Sequence, residues 1–258
     1  MPCAQSPKRE RLDVLVVGRG LAPSRERARR MILAGLVLVD GRPVDKAGAN
    51  VEVSSVITLA EPDHPYVGRG GLKLAHALDT WAICVEGFDA LDIGASTGGF
   101  TDVLLKRGAR RVVALDVGRG QLDWTLRNDP RVVLIEGVNA RNLSIAHLPG
   151  PVDIVTIDVS FISLKLVLPR VPGVLSAGGQ VVALVKPQFE ARRGEVGRGG
   201  LVRDPAVHGR VVAEVSEAAE RAGLVPAGVV SSPVTGGAGN REFLLYLRFP
   251  GQRAEQAR

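Results

Sequence analysis

From Asp89 to Phe249 short apolar runs alternate with amphipathic stretches. The period-2 and unbroken apolar runs predict strands over 89–93, 111–116, 132–136, 152–158, 180–186, 225–231 and 242–249. Helical spacing predicts helices over 99–107, 120–127, a stretch within 162–172, and 205–222. This alternation calls for an α/β fold, a Rossmann-like parallel sheet with helices on both faces. The last two strands are joined by SPVTGGAGN, which carries no helical pattern, so the final strand should run antiparallel to its neighbours.

The first part of the chain reads differently. Residues 11–22 and 24–34 suit two short helices, with Ser24 as N-cap and Pro23 fixing the chain direction into the second. Asp40-Gly41 between apolar residues is a two-residue hairpin signal, and VEVSSVITL (51–59) closes the unit as a strand. Glu61–Gly71 is rich in Pro and Gly and reads as a linker, after which LKLAHALDTW forms an amphipathic helix carrying Lys73. The expected division is a small α+β domain at 8–60, a linker at 61–71, the large domain at 72–250 and a tail at 251–258.

Charge sharpens this division. The net charge is +6, and residues 1–60 hold ten Lys/Arg against six Asp/Glu, so +4 of it lies in that first stretch. A polyanionic partner is expected there. The second helix carries Arg25, Arg27, Arg29 and Arg30 against Glu26, which is either a solvated face or a phosphate-binding one. Two cysteines, Cys3 and Cys84, form no Cys-x-x-Cys pair, and the four histidines lack ligand spacing, so neither a disulfide framework nor a metal site is expected. No long apolar run suggests a signal peptide or a membrane span, so a soluble, cytoplasmic protein is expected.

The candidate chemistry centres on Leu91–Phe100 (LDIGASTGGF). An apolar run ends in an acid, passes a small-residue turn and enters a helix, so backbone N–H groups can approach a ligand closely. The spacing is Asp-x-Gly-x-x-x-Gly; Ser96 stands where a dinucleotide fingerprint has its second glycine, which favours S-adenosylmethionine over NAD. A purely structural strand-to-helix turn could look alike. Asp116 ends the second strand, where a carboxylate commonly binds ribose hydroxyls, and Glu136-Gly137-Val138-Asn139 could hold the adenine. Asp158 and Lys186 end the fourth and fifth strands and Glu242 begins the last, which brings all three to one edge of the sheet. Each alone could be a strand-end charge reaching solvent. Arg192, Arg193 and Arg198 lie in a Gly-rich basic loop after Lys186, suited to RNA phosphates or simply mobile.

Residues 11–60, above all SRERARRMILAGLVLVDGRPVDKAG, resemble the alpha-L RNA-binding motif, which implies RNA contacts by Arg9, Arg11, Arg25, Arg27, Arg29 and Arg30, with Arg69 beyond the domain. From Arg11 to about Phe249 the chain resembles the TlyA family, rRNA cytidine 2′-O-methyltransferases related to the FtsJ fold. The resemblance rests on VGRGGLKLAHAL, ALDIGASTGGFTDVLLKRGA, VALDVGRGQL, DIVTIDVSFISL, VALVKPQFE and GNREFLLYL. It implies a class I seven-stranded methyltransferase sheet and ribosomal RNA or ribosomal subunits as partner. By motif position it implies a catalytic Lys73, Asp158, Lys186 and Glu242. The S-adenosylmethionine site would comprise Asp92, Gly94, Ala95, Ser96, Thr97, Gly98, Gly99, Phe100, Asp116, Asn139 and Asp158.

A ribose 2′-hydroxyl is a poor nucleophile near neutral pH, so the enzyme must align it and remove its proton. Lys186 is the candidate base, because an ammonium, unlike a guanidinium, can lose its proton when desolvated or set beside another cation such as Lys73. The family is sometimes labelled haemolysin, and a membrane-lytic role is the contrasting class; the absence of any apolar span argues against it. A non-catalytic RNA-binding assembly factor and an NAD oxidoreductase are the remaining alternatives.

Overall fold

The structure, a computed structural model, describes residues 8–22, 24–33, 35–59, 64–236 and 239–251. Cys3, Pro23, the side chain of Arg30, residues 61–63 of the linker and 252–258 of the tail lie outside the described residues. The chain divides into two compact units, Met1–Pro65 and Tyr66–Arg258. The division falls inside the predicted linker, whose second half belongs to the large unit: the Val67 N–H donates to Asp102.

In the first unit β1 (Arg9–Arg11) leads into α1 (Leu12–Gly18), then α2 (Arg25–Leu33), β2 (Val37–Val39), β3 (Arg42–Pro43), β4 (Asn50–Glu52) and β5 (Ile57–Leu59). The first predicted helix thus starts with a strand and stops by Gly18. The predicted strand over 51–59 is two strands in different sheets, because a turn at Val53–Ser55 separates β4, paired with β1, from β5, paired with β2. The Asp-Gly hairpin forms as expected: Asp40 and Gly41 both take positive φ, +50° and +77°, and Val39 pairs with Arg42. Leu12, Val16, Ala28, Ile32 and Val37 are fully buried and form its core.

The second unit runs α3 (Gly70–Thr80), β6 (Asp89–Ile93), α4 (Gly99–Lys106), β7 (Arg111–Asp116), α5 (Trp124–Arg127), β8 (Val132–Glu136), β9 (Val152–Ile157), β10 (Leu175–Val185), α6 (Pro187–Glu190), α7 (Pro205–Arg221), β11 (Val225–Ser231) and β12 (Phe243–Arg248). Its seven-stranded sheet has the order β11-β12-β10-β9-β6-β7-β8. The five strands from β10 to β8 are parallel; β12 lies between β10 and β11, antiparallel to both. The antiparallel last strand therefore forms as its short connection required.

Strand periodicity sorts the core into two layers. Leu91, Ile93, Val113, Leu115, Val155, Ile157, Val181 and Val185 face one cluster, which includes Val211 and Val215 of α7. The alternate residues Ala90, Val112, Ala114, Ile154, Val182 and Leu184 face the other, with Leu74 and Leu78 of α3 and Val103 and Leu104 of α4. Each fully buried aliphatic side chain contributes about 1.5–3 kcal/mol of burial.

Two predicted helices differ. The stretch within 162–172 is three short 3₁₀ turns, Leu164–Leu166, Leu168–Arg170 and Pro172–Val174. Pro169 and Pro172 each remove an N–H donor, so no continuous α-helix can form there. The helix expected over 120–127 begins at Trp124, because the Asp123 side chain accepts from the Thr125 N–H and caps it. β10 starts earlier than predicted, with its register broken between Leu175 and Gln180 at Gly178–Gly179, and it ends at Val185, leaving Lys186 just beyond the ladder.

Candidate active site

The carboxyl ends of β6, β7, β9 and β10 open onto two adjoining clefts. One, about 530 Å³, is lined among others by Gly94, Ser96, Asp116, Val138, Asn139 and Asp158. The other, about 280 Å³, is lined among others by Arg69, Lys73, Ala95, Thr97, Asp158 and Lys186, with Gly99 and Phe100. Gly94, Ser96, Asp158 and Ser160 border both.

The glycine turn shapes the shared wall. Gly94 has φ +84°, and a Cβ there would stand 2.6 Å from the Asp158 carbonyl oxygen, so only glycine lets β6 leave the sheet against β9. Gly99 likewise admits the start of α3, since its Cβ would meet the Gly71 nitrogen at 2.9 Å. Ser96 takes a left-handed φ of +47°, which turns its N–H to donate to Asp116 Oδ2 at 2.8 Å; the Gly118 N–H donates to Asp116 Oδ1 at 2.7 Å. Asp116 is thus fixed on the wall of the larger cleft.

Two ion pairs stand at the smaller cleft. Lys73 Nζ donates to Glu242 Oε2 at 2.5 Å, and Lys186 Nζ lies 2.6 Å from Asp158 Oδ1 while donating to Ser160 Oγ at 2.9 Å. Lys73, Lys186 and Glu242 are buried. Each ammonium rests against a carboxylate. Four residues far apart in sequence therefore share one sheet edge.

Several predicted residues sit elsewhere. Asp92 lines neither cleft: it is fully buried beneath α4, where Oδ2 accepts from Thr101 Oγ1 at 2.7 Å and Oδ1 from Thr156 Oγ1 at 2.9 Å. Burial pushes its carboxyl up to about 7, with the two threonine bonds opposing and the Asp158 charge adding to the rise. Even-numbered positions of β6 face α4, which is why Asp92 supports the turn from below. Gly98 lies outside both clefts, against Leu122 and Leu126. Glu136 accepts from the Gly120 N–H and Arg127 and braces the loop after β7, leaving Val138 and Asn139 at the cleft.

Among the predicted RNA contacts, Arg69 is exposed at the smaller cleft; Arg192, Arg193 and Arg198 are exposed on the basic loop and line neither cleft. That loop is tied down by the buried Asn240, which accepts from the Val202 N–H and donates to the Gly200 carbonyl. In the first unit Arg9 and Arg29 are exposed, Arg27 is half-buried, and Arg11 and Arg25 are both bonded to Asp13. The sequence reading missed Gln121, Ser160 and Phe161 at the larger cleft. Ser160 and Phe161 lie within the phrase IDVSFISL, but nothing in its pattern marks them as site residues. Phe161 is 90% exposed with φ +62°, and an exposed phenylalanine cannot be told from a core one by sequence.

The sheet order, the antiparallel β12 and a ligand-sized cleft at the strand ends define a class I methyltransferase domain. The FtsJ-like methyltransferase family profile matches residues 66–249, and the S4 domain profile matches residues 10–57. The 16S/23S rRNA (cytidine-2′-O)-methyltransferase TlyA of Mycobacterium tuberculosis is 48% identical over 97% of this chain and 94% of its own length. Hemolysin A of Brachyspira hyodysenteriae is 40% identical over 92% of this chain and 99% of its own length. A solved structure of a candidate hemolysin from Streptococcus thermophilus superposes with a TM-score of 0.75 at 44% identity, covering 97% of this chain and 93% of that one. The chain belongs to the TlyA family of FtsJ-like methyltransferases.

Proposed function

We propose that this protein transfers a methyl group from S-adenosylmethionine to the 2′-hydroxyl of cytidine in ribosomal RNA, of the small subunit, the large subunit or both. The observation that carries this reading is the joining of the Lys73–Glu242 and Lys186–Asp158 pairs to a nucleoside-sized cleft walled by Asp116. The names of its relatives support rRNA as substrate, and the S4 domain supports RNA binding. Work on ribosomes implies a cytoplasmic setting. No described helix is long and apolar enough to cross a membrane, and no described cluster of three or more His, Cys, Asp or Glu could hold a metal.

The larger cleft fits the methyl donor. Asp116 offers a fixed carboxylate for a ribose diol, Val138 an apolar wall, Asn139 a polar one, and the Gly94–Gly99 turn a backbone cradle. When bound, S-adenosylmethionine supplies a methyl carbon already activated by its sulfonium. This chain supplies alignment and proton transfer. The 2′-hydroxyl proton passes to Lys186 Nζ, which Asp158 and Ser160 hold in place, and Asp158 balances the positive charge that results. Glu242 holds Lys73, whose ammonium is placed to orient the hydroxyl. Arg69 stands at the mouth for a flanking phosphate.

The test separates binding from chemistry. Asp116→Asn should weaken S-adenosylmethionine binding about tenfold, the effect of one lost hydrogen bond to a charged group. Lys186→Ala should leave that affinity within about twofold while cutting turnover about a hundredfold or more. Near-normal turnover in Lys186→Ala would remove it as the base. Absence of S-adenosylmethionine binding by the wild type would favour the assembly-factor reading.

A further inference from the structure

Two stretches converge beside the Lys186–Asp158 pair: the irregular loop after β9, and the turn that carries Lys186 into α6. Their contacts form a ladder. At one end Lys186 holds Asp158 at 2.6 Å and Ser160 at 2.9 Å. In the middle the rings of Phe161 and Phe189 lie 5.1 Å apart. At the far end Glu190, the last residue of α6, accepts from Ser163 Oγ through Oε2 and from the Leu164 N–H through Oε1, both at 2.6 Å.

Glu190 is buried, and among the described residues no ion pair reaches it; Lys165 acts on it only at longer range, against Glu214. A buried carboxylate without a contacting cation is costly unless its hydrogen bonds are needed. The loop it holds has reason to need them. Residues 158–163 contain no helix or strand, and Phe161 has a positive φ of +62°, a conformation that persists only where the surrounding structure holds it. Lys186 fixes one end. Glu190, four residues on, fixes the other.

We propose that Glu190 is a positioning residue for Lys186: it staples the loop of Asp158 and Ser160 to α6, so that both partners of the Lys186 ammonium keep their places. The inference rests on Lys186 acting in the transfer. It accounts for the acid in the KPQFE phrase, which no catalytic role in the proposed reaction uses.

The test compares full-length Glu190→Ala, Glu190→Gln and Ser163→Ala with wild type and Lys186→Ala, by single-turnover transfer rate, KM for the RNA, S-adenosylmethionine affinity and Tm. Glu190→Ala should lower the rate about tenfold or more, with KM and cofactor affinity within about twofold. Glu190→Gln keeps an acceptor for Leu164 and a donor for Ser163, and should recover to within about threefold of wild type. Ser163→Ala, which removes one rung, should fall between. A wild-type rate in Glu190→Ala, or equal loss in Glu190→Ala and Glu190→Gln, overturns the inference. Should Glu190→Ala not fold, a wild-type rate in Ser163→Ala overturns it instead. Lys186→Ala distinguishes the two failures: if it stays active, the assignment of Lys186 fails; if it is dead while Glu190→Ala is normal, only the stapling role fails.

Discussion

Two buried aspartates show how opposite surroundings set opposite pH behaviour. Asp13 is enclosed by Arg11 and Arg25; the Arg11 hydrogen bond, foremost, draws its carboxyl down to about 2. A depressed acid stabilises the fold above its unfolded value, near 3.8, and that contribution is lost as pH falls towards 2. Because both arginines are about half exposed, solvent screening leaves about 1 kcal/mol of it at neutral pH. Asp13→Asn should therefore lower Tm at pH 7, and the gap to wild type should narrow by pH 3.5. Asp92 behaves the other way. Its carboxyl rises to about 7, so ionisation costs stability as pH climbs from about 4 to 7. Asp92→Asn, which can still bond Thr101 and Thr156, should gain Tm relative to wild type between pH 5 and 8. A gap that does not change with pH would contradict the burial of that charge.

At the scale of elements, the turn between β6 and α4 sets the geometry of both clefts. Gly94→Ala puts a methyl 2.6 Å from the Asp158 carbonyl and strains a φ of +84°, so β6 and β9 must separate at their carboxyl ends. Cofactor affinity measured by calorimetry should fall about tenfold or more, and unchanged affinity would show that the turn is not the cradle. This element was legible in sequence because glycine spacing reports backbone conformation directly. So were the strand order's consequences for Asp158, Lys186 and Glu242, since a strand end fixes where a residue lies. Side-chain direction was less legible. Asp92 reads as a motif acid, yet strand parity turns it under α4. Arg11 and Arg25 read as RNA contacts, yet a single buried Asp13 engages both. The 3₁₀ turns at 164–174 and the Phe161 conformation depend on prolines and loop contacts that leave no periodic trace.

The molecule as a whole divides its labour between two units. The first unit, matched by the S4 domain, presents Arg9 and Arg29 exposed, and the methyltransferase unit carries the clefts. Charge reversal at the exposed Arg9 and Arg29 should raise the Kd for rRNA in a salt-dependent way, and reduce the salt slope of binding by about two. Transfer at saturating RNA should stay near wild type, because neither residue belongs to the unit with the clefts. A loss of turnover that saturating RNA does not restore would contradict this separation.

The central claim is methyl transfer to a ribose of ribosomal RNA, and the most direct measurement supplies S-adenosylmethionine labelled in its methyl group to separated ribosomal subunits lacking the modification. The account predicts label at the 2′-oxygen of a cytidine in one or both subunits, and its loss in Lys186→Ala. No transfer to either subunit, with cofactor and RNA binding both intact, would contradict it.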